Sequence, residues 1–368
     1  MERHNAGEMS SFDEVLWRRA QQGEGGSLAS LFGPRSPMPE AQLTVSTIVT
    51  ENGDTDLVEA IRRSVASEQL TFGEAKLVRV RGETFDFVLA IWPTEHPGIV
   101  FLAATVPFTS REWKRVDRWI SLVRPGVSPF FLNDDDIAEV GQGLERFASV
   151  EVERFTARDV LDYSSYSRGW PKRAGEDRPS FSETINHCSQ IGASVRSLTL
   201  LINQKLRIHL RRQAGATYYN GDFHLFEARI LRPLAEAAER RRRLLSGRAR
   251  TTSDPARPLN IKLSAGRTTH PLTSAEMIKE LSKDSSLGVA VLHANPYVHI
   301  VVTDYRDGSN FDVFVTQSDA IEIHPGWRAS LAALTRLTDQ LADIFMGIQI
   351  SDAPEAAEVS IDDLVGSH

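Results

Sequence analysis

The chain has 368 residues, of which 41% are hydrophobic, and carries a formal net charge of −7 at pH 7. This content is enough to bury two or three cores of ordinary domain size, and it excludes an intrinsically disordered protein. The single cysteine, Cys188, excludes an intramolecular disulfide framework and a cysteine-rich zinc site. No apolar run reaches eighteen residues and the N-terminus lacks a signal sequence, so we expect a soluble cytoplasmic protein.

Charge is distributed unevenly along the chain. Residues 163–270 contain 20 Lys and Arg but only 8 Asp and Glu, so this segment carries +12 and the remainder −19. Such segregation indicates an anionic partner, with nucleic acid first among the candidates. The alternative is a basic middle segment that docks against acidic neighbours in the same chain or in an oligomer.

Residues 1–40 are predicted to be a flexible arm and linker. A short amphipathic piece from Phe12 to Arg19 precedes a stretch rich in glycine and proline. Its apolar residues, among them Leu16 and Trp17, are candidates for docking the arm on a neighbouring surface.

Residues 41–149 are predicted to form a first α+β unit. A strand at 43–50 leads to a helix whose start is marked by the capping spacing of Asp56 and Glu59. Strands at 76–81, 85–92 and 99–106 and a closing helix at 110–123 follow. An additional helix begins at the acidic run 134–136, where carboxylates suit the helix dipole.

The middle unit, residues 150–250, holds the clearest pattern. Ser180 and Glu183 have the spacing of a capping box at a helix start. From Lys205 to Arg211 basic and apolar residues alternate, which predicts a strand with one basic and one apolar face. Asn220-Gly221 predicts a hairpin turn, and Asp222 to Ile230 is predicted to be the returning strand. The closing helix ends in the arginine run 240–243, where cations also suit the negative end of the helix dipole.

A third unit is predicted at residues 258–350, followed by an acidic disordered tail at 351–368. Thr273 and Glu276 cap its first helix, and its closing helix is expected at 327–345. In all three units the first cap lies about 50 residues before the closing helix, so one β-α-β-β-β-α unit is expected to occur three times in tandem.

The expected fold is therefore α+β, with three antiparallel sheets each covered by helices on one face only. Strands with one polar face require a sheet that is half exposed. Such repeats resemble those of TATA-binding-protein-like domains at the level of fold, and less closely the small chaperones of secretion systems. No residue motif carries this resemblance, so it implies no function.

A long irregular segment, residues 163–179, precedes the first helix of the middle unit. Three aromatic residues alternate there with three cations: Tyr163, Tyr166 and Trp170 with Arg168, Lys172 and Arg173. This mixture stacks on bases while neutralising phosphates. The alternative is an ordered surface loop whose aromatic residues anchor it to the core.

The common phosphate-binding, dinucleotide-binding and hydrolytic motifs are absent from the sequence, so no cofactor or metal is expected. The nearest approach to a catalytic cluster is Asp222, His224 and Glu227. Asp222 and His224 share a face of the predicted strand and Glu227 does not, which is poor spacing for a metal site. An enzyme is therefore the third hypothesis.

The sequence predicts a non-catalytic nucleic-acid-binding protein, without a choice between DNA and RNA. The expected contact residues are Tyr166, Arg168, Trp170, Lys172, Arg173, Lys205, Arg207, Arg211, Arg240, Arg241, Arg242 and Arg243. Six phosphate contacts would lower the affinity about a thousandfold between about 50 and 200 mM salt. The alternative is an adaptor or scaffold subunit of a larger cytoplasmic complex, with an acidic protein partner, no membrane and an open possibility of homo-oligomers.

Overall fold

A computed structural model describes residues 9–23, 29, 42–51, 54–122, 126–159, 164–170, 178–213, 215–252, 257–263, 274–294, 297–317, 320–345 and 349–352. The chain divides into two compact units. The large unit takes residues 1–247 and 330–347, and the small unit takes residues 248–329 and 348–368.

Within the described ranges, the large unit is built on one eleven-stranded sheet. Its strands are β1 (Leu43–Thr50), β2 (Ala66–Phe72), β3 (Ala75–Gly82), β4 (Phe85–Pro93), β5 (Ile99–Ala104), β6 (Val127–Pro129), β7 (Val150–Asp159), β8 (Ser165–Gly169), β9 (Ala193–Ile202), β10 (Leu206–Arg211) and β11 (Gly215–Gly221). Their order is β2-β3-β4-β5-β1-β11-β10-β9-β7-β8, and β6 pairs with β1.

The helices of the two units are α1 (Ser11–Gln21), α2 (Asp54–Ser64), α3 (Arg111–Leu122), α4 (Asp134–Glu145), α5 (Phe181–Gln190), α6 (Phe223–Phe226), a π-helix (Glu227–Leu231), α7 (Arg232–Leu245), α8 (Ser274–Leu281) and α9 (Leu331–Phe345). The predicted capping box at Ser180 and Glu183 is present, and Asn133 and Asp136 form a second one at the start of α4. The π-helix ends just before Pro233, whose missing N–H interrupts the α-helical bonding pattern.

The small unit has a six-stranded sheet in the part of the chain that the structure describes. Its strands are β12 (Leu259–Lys262), β13 (Leu287–His293), β14 (Val298–Asp304), β15 (Ser309–Gln317), β16 (Ala320–Pro325) and β17 (Gln349–Asp352). They lie in the order β13-β14-β15-β16-β12-β17. All strand pairs of both sheets are antiparallel, which confirms a mixed α+β protein with antiparallel sheets.

The tandem repeat of three equal units is not confirmed. In the first segment the leading strand β1 pairs with β5, the last strand of its meander, whereas β7 pairs with β9, the first strand after its helix. Strands from residue 43 to residue 221 also form one continuous sheet, because β1 pairs with β11. Periodicity in the sequence predicts where each strand lies, but it does not determine which other strand pairs with the hydrogen-bonding groups on its edges.

Helices cover both faces at the centre of the large sheet, so the expectation of a single covered face is wrong there. Both β1 and β5 are buried at every residue. On β4, Leu89 belongs to a core with α2 and α3, while Val88 belongs to a second core with α1 and α7. Strands that are apolar on both sides need cover on both sides.

Helix α9, the predicted closing helix of the third unit, belongs instead to the large unit. It packs against β6 and α7. Its Asp343 pairs with Arg158 at 3.2 Å and with Arg196, and Arg212 Nη2 donates to the Ala342 carbonyl at 2.7 Å. Helix α9 is therefore held by polar contacts with the middle strands in addition to apolar packing.

Helix α1 buries Phe12, Leu16 and Trp17 in the core that it shares with β4. Asp13 is buried with them and accepts a hydrogen bond from Thr105 Oγ1 at 2.9 Å. Burial raises the pKa of Asp13 to about 7, and the nearby negative charge of Asp86 adds to the rise. The docked helix therefore favours a protonated Asp13.

We expect Asp13 to make stability depend on pH. Because its pKa is raised in the folded protein, its contribution is fully present below about pH 4 and is lost as the pH rises to about 7, by up to roughly 1.4 kcal/mol per pH unit. Urea denaturation of the wild type and of Asp13→Asn measures this. The wild type should lose stability relative to the variant between about pH 4 and 7, with little further change above pH 7, and pH profiles that stay parallel between pH 4 and 7 would contradict the account.

Candidate functional site

Strand β10 separates apolar from basic side chains, as its alternation predicts. Leu206, Ile208 and Leu210 are buried in the large core. Helix α5 packs on the neighbouring strands β7 and β9 from this apolar side. Arg207, His209 and Arg211 therefore lie on the other face of the sheet.

Two rows of polar residues extend this face across five strands. Directly paired residues of antiparallel strands share a face, so the register determines the rows. The first row is Thr44, Thr217, His209, Thr199 and Arg154, and the second is Ser46, Gly215, Arg211, Ser197 and Thr156. These ten positions and Arg207 form what we call the polar sheet face.

Arg211 is the buried cation of the polar sheet face, with 7% of its surface exposed. Its Nη1 donates to Thr217 Oγ1 at 2.7 Å, and its guanidinium lies 3.8 Å from the ring centre of Phe108. Its Nε and Nη2 have no hydrogen-bond partner among the residues described. Burial lowers the pKa of Arg211 to about 10, and Tyr219 and Asp117 oppose that shift, so the group stays charged at neutral pH.

Gly215 makes room for this guanidinium. A Cβ atom at residue 215 would lie 2.9 Å from Arg211 Nη2 and 2.2 Å from the carbonyl oxygen of Val45. The second contact is with backbone, which cannot rotate away. Glycine therefore permits both the β1 to β11 pairing and the position of Arg211.

His209 lies at the centre of the first row. Its Nδ1 is 3.0 Å from Thr199 Oγ1. Burial lowers the pKa of His209 to about 4, and the positive charges of Arg211, Arg154 and Arg207 lower it further. At neutral pH the imidazole is uncharged, and the three guanidinium groups make this part of the face electropositive.

Further cations lie where the polar sheet face is exposed to solvent. Arg154 is exposed, and so is Lys205 in the turn between β9 and β10. Arg207 Nε donates to Glu153 Oε2 at 2.6 Å, and its guanidinium lies 4.9 Å from the ring centre of Tyr219. The side chain of Arg207 is nevertheless 44% exposed, so it retains donors for a ligand.

The four consecutive arginines at 240–243 are all paired within the chain. Arg240 pairs with Glu139 at 2.5 Å, Arg241 with Asp136 at 2.9 Å, and Arg242 and Arg243 both with Glu239 at 2.6 Å. Arg241 is also buried, with its guanidinium 4.8 Å from the ring centre of Phe131. These residues lie apart from the β10 register that defines the polar sheet face.

Acidic residues from outside the basic segment 163–270 neutralise other arginines as well. Arg178 lies 3.0 Å from Glu153, and Arg212 lies 3.2 Å from Asp134. For these arginines the structure supports the alternative in which the basic segment docks within its own chain. The exposed cations of the polar sheet face are available to a ligand; Arg168, Arg229 and Lys262 are also exposed in this segment but lie off that face.

Tyr166 and Arg168 lie on the opposite face of the sheet from Arg207 and Arg211. Strand β8 pairs with β7 so that Arg168 faces Phe155 and Tyr166 faces Ala157, and both of these β7 residues belong to the apolar core. The predicted loop cations Lys172 and Arg173 lie outside the described residues. The described residues therefore do not bring the loop and the basic strand face together.

Trp170 is held against the core. Its ring stacks on Phe155 with centroids 5.6 Å apart, and the backbone N–H of Trp170 donates to the Glu153 carbonyl at 2.8 Å. The guanidinium of Arg168 lies 4.9 Å from the Trp170 ring, whereas Tyr166 is exposed. This geometry favours the alternative in which Trp170 anchors the loop.

We therefore expect Trp170→Ala to lower the free energy of unfolding by about 1–3 kcal/mol, because a half-buried aromatic side chain loses its packing. Tyr166→Ala is the matched control and should change it by less than about 0.5 kcal/mol. Urea denaturation of both variants measures the difference. Equal stabilities, with weakened nucleic-acid binding in Trp170→Ala, would show that the indole contacts a ligand.

The residues Asp222, His224 and Glu227 do not form a metal site. Asp222 caps α6 through its side chain, and His224 Nδ1 is 4.0 Å from Glu227 Oε2. Across the described residues no group of three His, Cys, Asp or Glu is placed to hold a metal ion. Over the same residues, no helix is long and apolar enough to cross a membrane.

Comparison with known proteins does not place the chain in a family. No protein-family model matches it, and no curated protein matches its sequence. Sequence reasoning found Arg207 and Arg211 but missed Arg154 and the row of hydroxyl groups. Alternate Thr and Ser on β1, at residues 44 and 46, were the available signal, but only the strand register brings them beside β11.

Proposed function

We propose that the large unit binds single-stranded nucleic acid through the polar sheet face. The observation that carries this proposal is the group of three cations on the exposed part of this face, Arg154, Lys205 and Arg207, with the ring of Tyr219 beside Arg207. An anionic oxygen is the acceptor that suits these cations best, and a phosphate supplies several.

The surrounding groups suit a phosphate chain. Arg154, Lys205 and Arg207 lie toward solvent, where they would hold successive phosphates. Thr199 and the neutral His209 have polar atoms that hydrogen-bond a phosphate or sugar oxygen without adding charge. Tyr219, half-buried beside Arg207, offers an aromatic surface for a base. Thr44 and Ser46, at the β1 end of the polar sheet face, are buried, so the strand would lie across the exposed part on β7 and β10. Exposed antiparallel sheet faces bind single strands in several protein families.

The salt dependence of binding tests this proposal. Three phosphate contacts, from Arg154, Lys205 and Arg207, give a slope of about −2.1 in log affinity against log salt for a single strand. Affinity should then fall about 20-fold between about 50 and 200 mM salt. This is less than the thousandfold expected from six contacts, because the 240–243 arginines lie off this face and Arg211 is buried. Fluorescence anisotropy with labelled DNA and RNA oligonucleotides measures it, and binding that is absent at low salt or insensitive to salt would reject the proposal.

A second candidate function, a protein-interaction adaptor, is favoured by strand β13 of the small unit. It is an edge strand in the described sheet, and it exposes Val291 at 45% and Leu292 at 60%. Exposed apolar edges pair with strands from other chains. The simplest partner is a second copy pairing through its own β13. Analytical ultracentrifugation should then show a dimer that Leu292→Lys abolishes. A monomer at all concentrations would exclude pairing of two copies through β13.

A further inference from the structure

A cavity of about 540 Å³ opens on the side of the large sheet opposite to the polar sheet face. Its floor is formed by Trp92 and Phe101, whose rings meet edge to face with centroids 6.0 Å apart. Both rings belong to the large apolar core. The floor is therefore rigid and aromatic, and its volume is that of a small-molecule site.

One wall of the cavity is a single helical face. Residues 224, 227, 228, 231, 232 and 235 line it, at the spacing of one stripe that runs from α6 through the π-helix into α7. Leu231 contributes apolar surface to the wall, and Glu227 and Arg232 contribute charge. Helical π-turns are frequent at functional sites, although Pro233 also explains this one.

Carboxylates outnumber cations around the cavity. Its described lining contains three carboxylates, Glu74, Glu95 and Glu227, and one Lys or Arg side chain, Arg232. Arg232 lies 3.6 Å from Glu95 and offsets that charge. Glu74 and Glu227 then remain as negative charges above an aromatic floor, with His224 at 4.0 Å from Glu227.

We propose that this cavity binds an organic cation, an ammonium or guanidinium group attached to a small apolar body. Cations are attracted to aromatic rings, most strongly to tryptophan. Trp92 is the tryptophan that lines the cavity, and one face of its ring is stacked on Phe223 with centroids 6.4 Å apart. The two uncompensated carboxylates pair with the cationic group, and Leu231 and Ala235 contact the apolar body. The site is separate from the polar sheet face and does not depend on nucleic-acid binding.

Calorimetric titration with three probes of one shape tests the proposal: benzylammonium, benzyl alcohol and benzoate. Benzylammonium should bind at least tenfold more tightly than benzyl alcohol, and benzoate should bind least. The double variant Glu74→Gln, Glu227→Gln should weaken benzylammonium binding about tenfold. Glu236→Gln is the control for one of the two lost charges, and Glu236→Gln with Glu83→Gln matches both, because Glu236 and Glu83 are exposed and do not line the cavity.

Three results would overturn the proposal. Benzoate or benzyl alcohol binding as tightly as benzylammonium would show an anion site or a merely apolar pocket. Loss of affinity in Glu236→Gln with Glu83→Gln equal to that in the cavity double variant would show a general charge effect. Failure of all three probes to bind the folded wild-type protein, with its circular dichroism unchanged, would show that the cavity takes no ligand of this class.

Discussion

Replacing Arg241 by alanine should lower the free energy of unfolding of the large unit by about 3–5 kcal/mol. The side chain is buried, and its Nη2 lies 2.9 Å from Asp136 Oδ2. Burial raises the pKa of Asp136, and the positive charge of Arg241 opposes that rise. Removing the arginine leaves a buried carboxyl group without its partner at the start of α4 and leaves a cavity beside Phe131.

Arg243→Ala is the matched control for this prediction, two residues further along the same helix. Arg243 is 74% exposed, and its partner Glu239 keeps two hydrogen bonds from Arg242 when Arg243 is removed. Its loss should cost less than about 1 kcal/mol. Urea denaturation of both variants gives the comparison. If both changes cost less than about 1 kcal/mol, Arg241 is not the core residue that its burial indicates.

Replacing Arg154 and Arg207 together by glutamine should weaken single-strand binding about a hundredfold at low salt. Each side chain would lose a charge-assisted hydrogen bond to phosphate, worth about 1.5 kcal/mol or tenfold in affinity. The salt slope should also fall by about 1.4, since two phosphate contacts are removed. The fold should tolerate the change, because Arg154 is exposed and Glu153 keeps Arg178 at 3.0 Å.

Arg62→Gln with Arg63→Gln provides the control for that pair of substitutions. Both arginines are exposed on α2, and their loss changes the net charge by the same amount. Arg63 pairs with Glu59 at 2.8 Å on the helix surface, a contact of small energetic value. Equal losses of affinity in the two double variants would show that net charge, rather than the polar sheet face, controls binding.

Local patterns predicted local structure well. The cap at Ser180 and Glu183 and the two-faced strand from Leu206 to Arg211 follow from spacing, because each depends on neighbours in the sequence. The hairpin turn predicted at Asn220-Gly221 is wrong, because both residues lie in β11, paired with Arg207 and Leu206, and the chain reverses between Arg211 and Gly215. The segment after Gly221, predicted as the returning strand, is helical. Strand β2 was missed, since only its Phe72 is buried and its alternation is weak. Antiparallel pairing followed from the short connections between strands.

Long-range partners were not predictable from one sequence. Nothing local to β1 indicates that its second edge pairs with β11, or that α9 leaves the small unit's strands for the large unit. The pairing of Arg240 and Arg241 was not predictable, because their carboxylate partners Glu139 and Asp136 are about a hundred residues away in the sequence. Arg154 was missed for the same reason, because only the pairing of β7, β9 and β10 places it in the same row as His209.

Ultraviolet cross-linking to a single strand of about 16 nucleotides, followed by peptide mass spectrometry, tests the proposed interface most directly. The proposal predicts cross-links on peptides from β10 and β11, with Tyr219 and His209 as the modified residues. Arg154→Gln with Arg207→Gln should remove them. Cross-links confined to Tyr166 and Trp170, to the small unit, or to no residue at all would contradict binding on the polar sheet face.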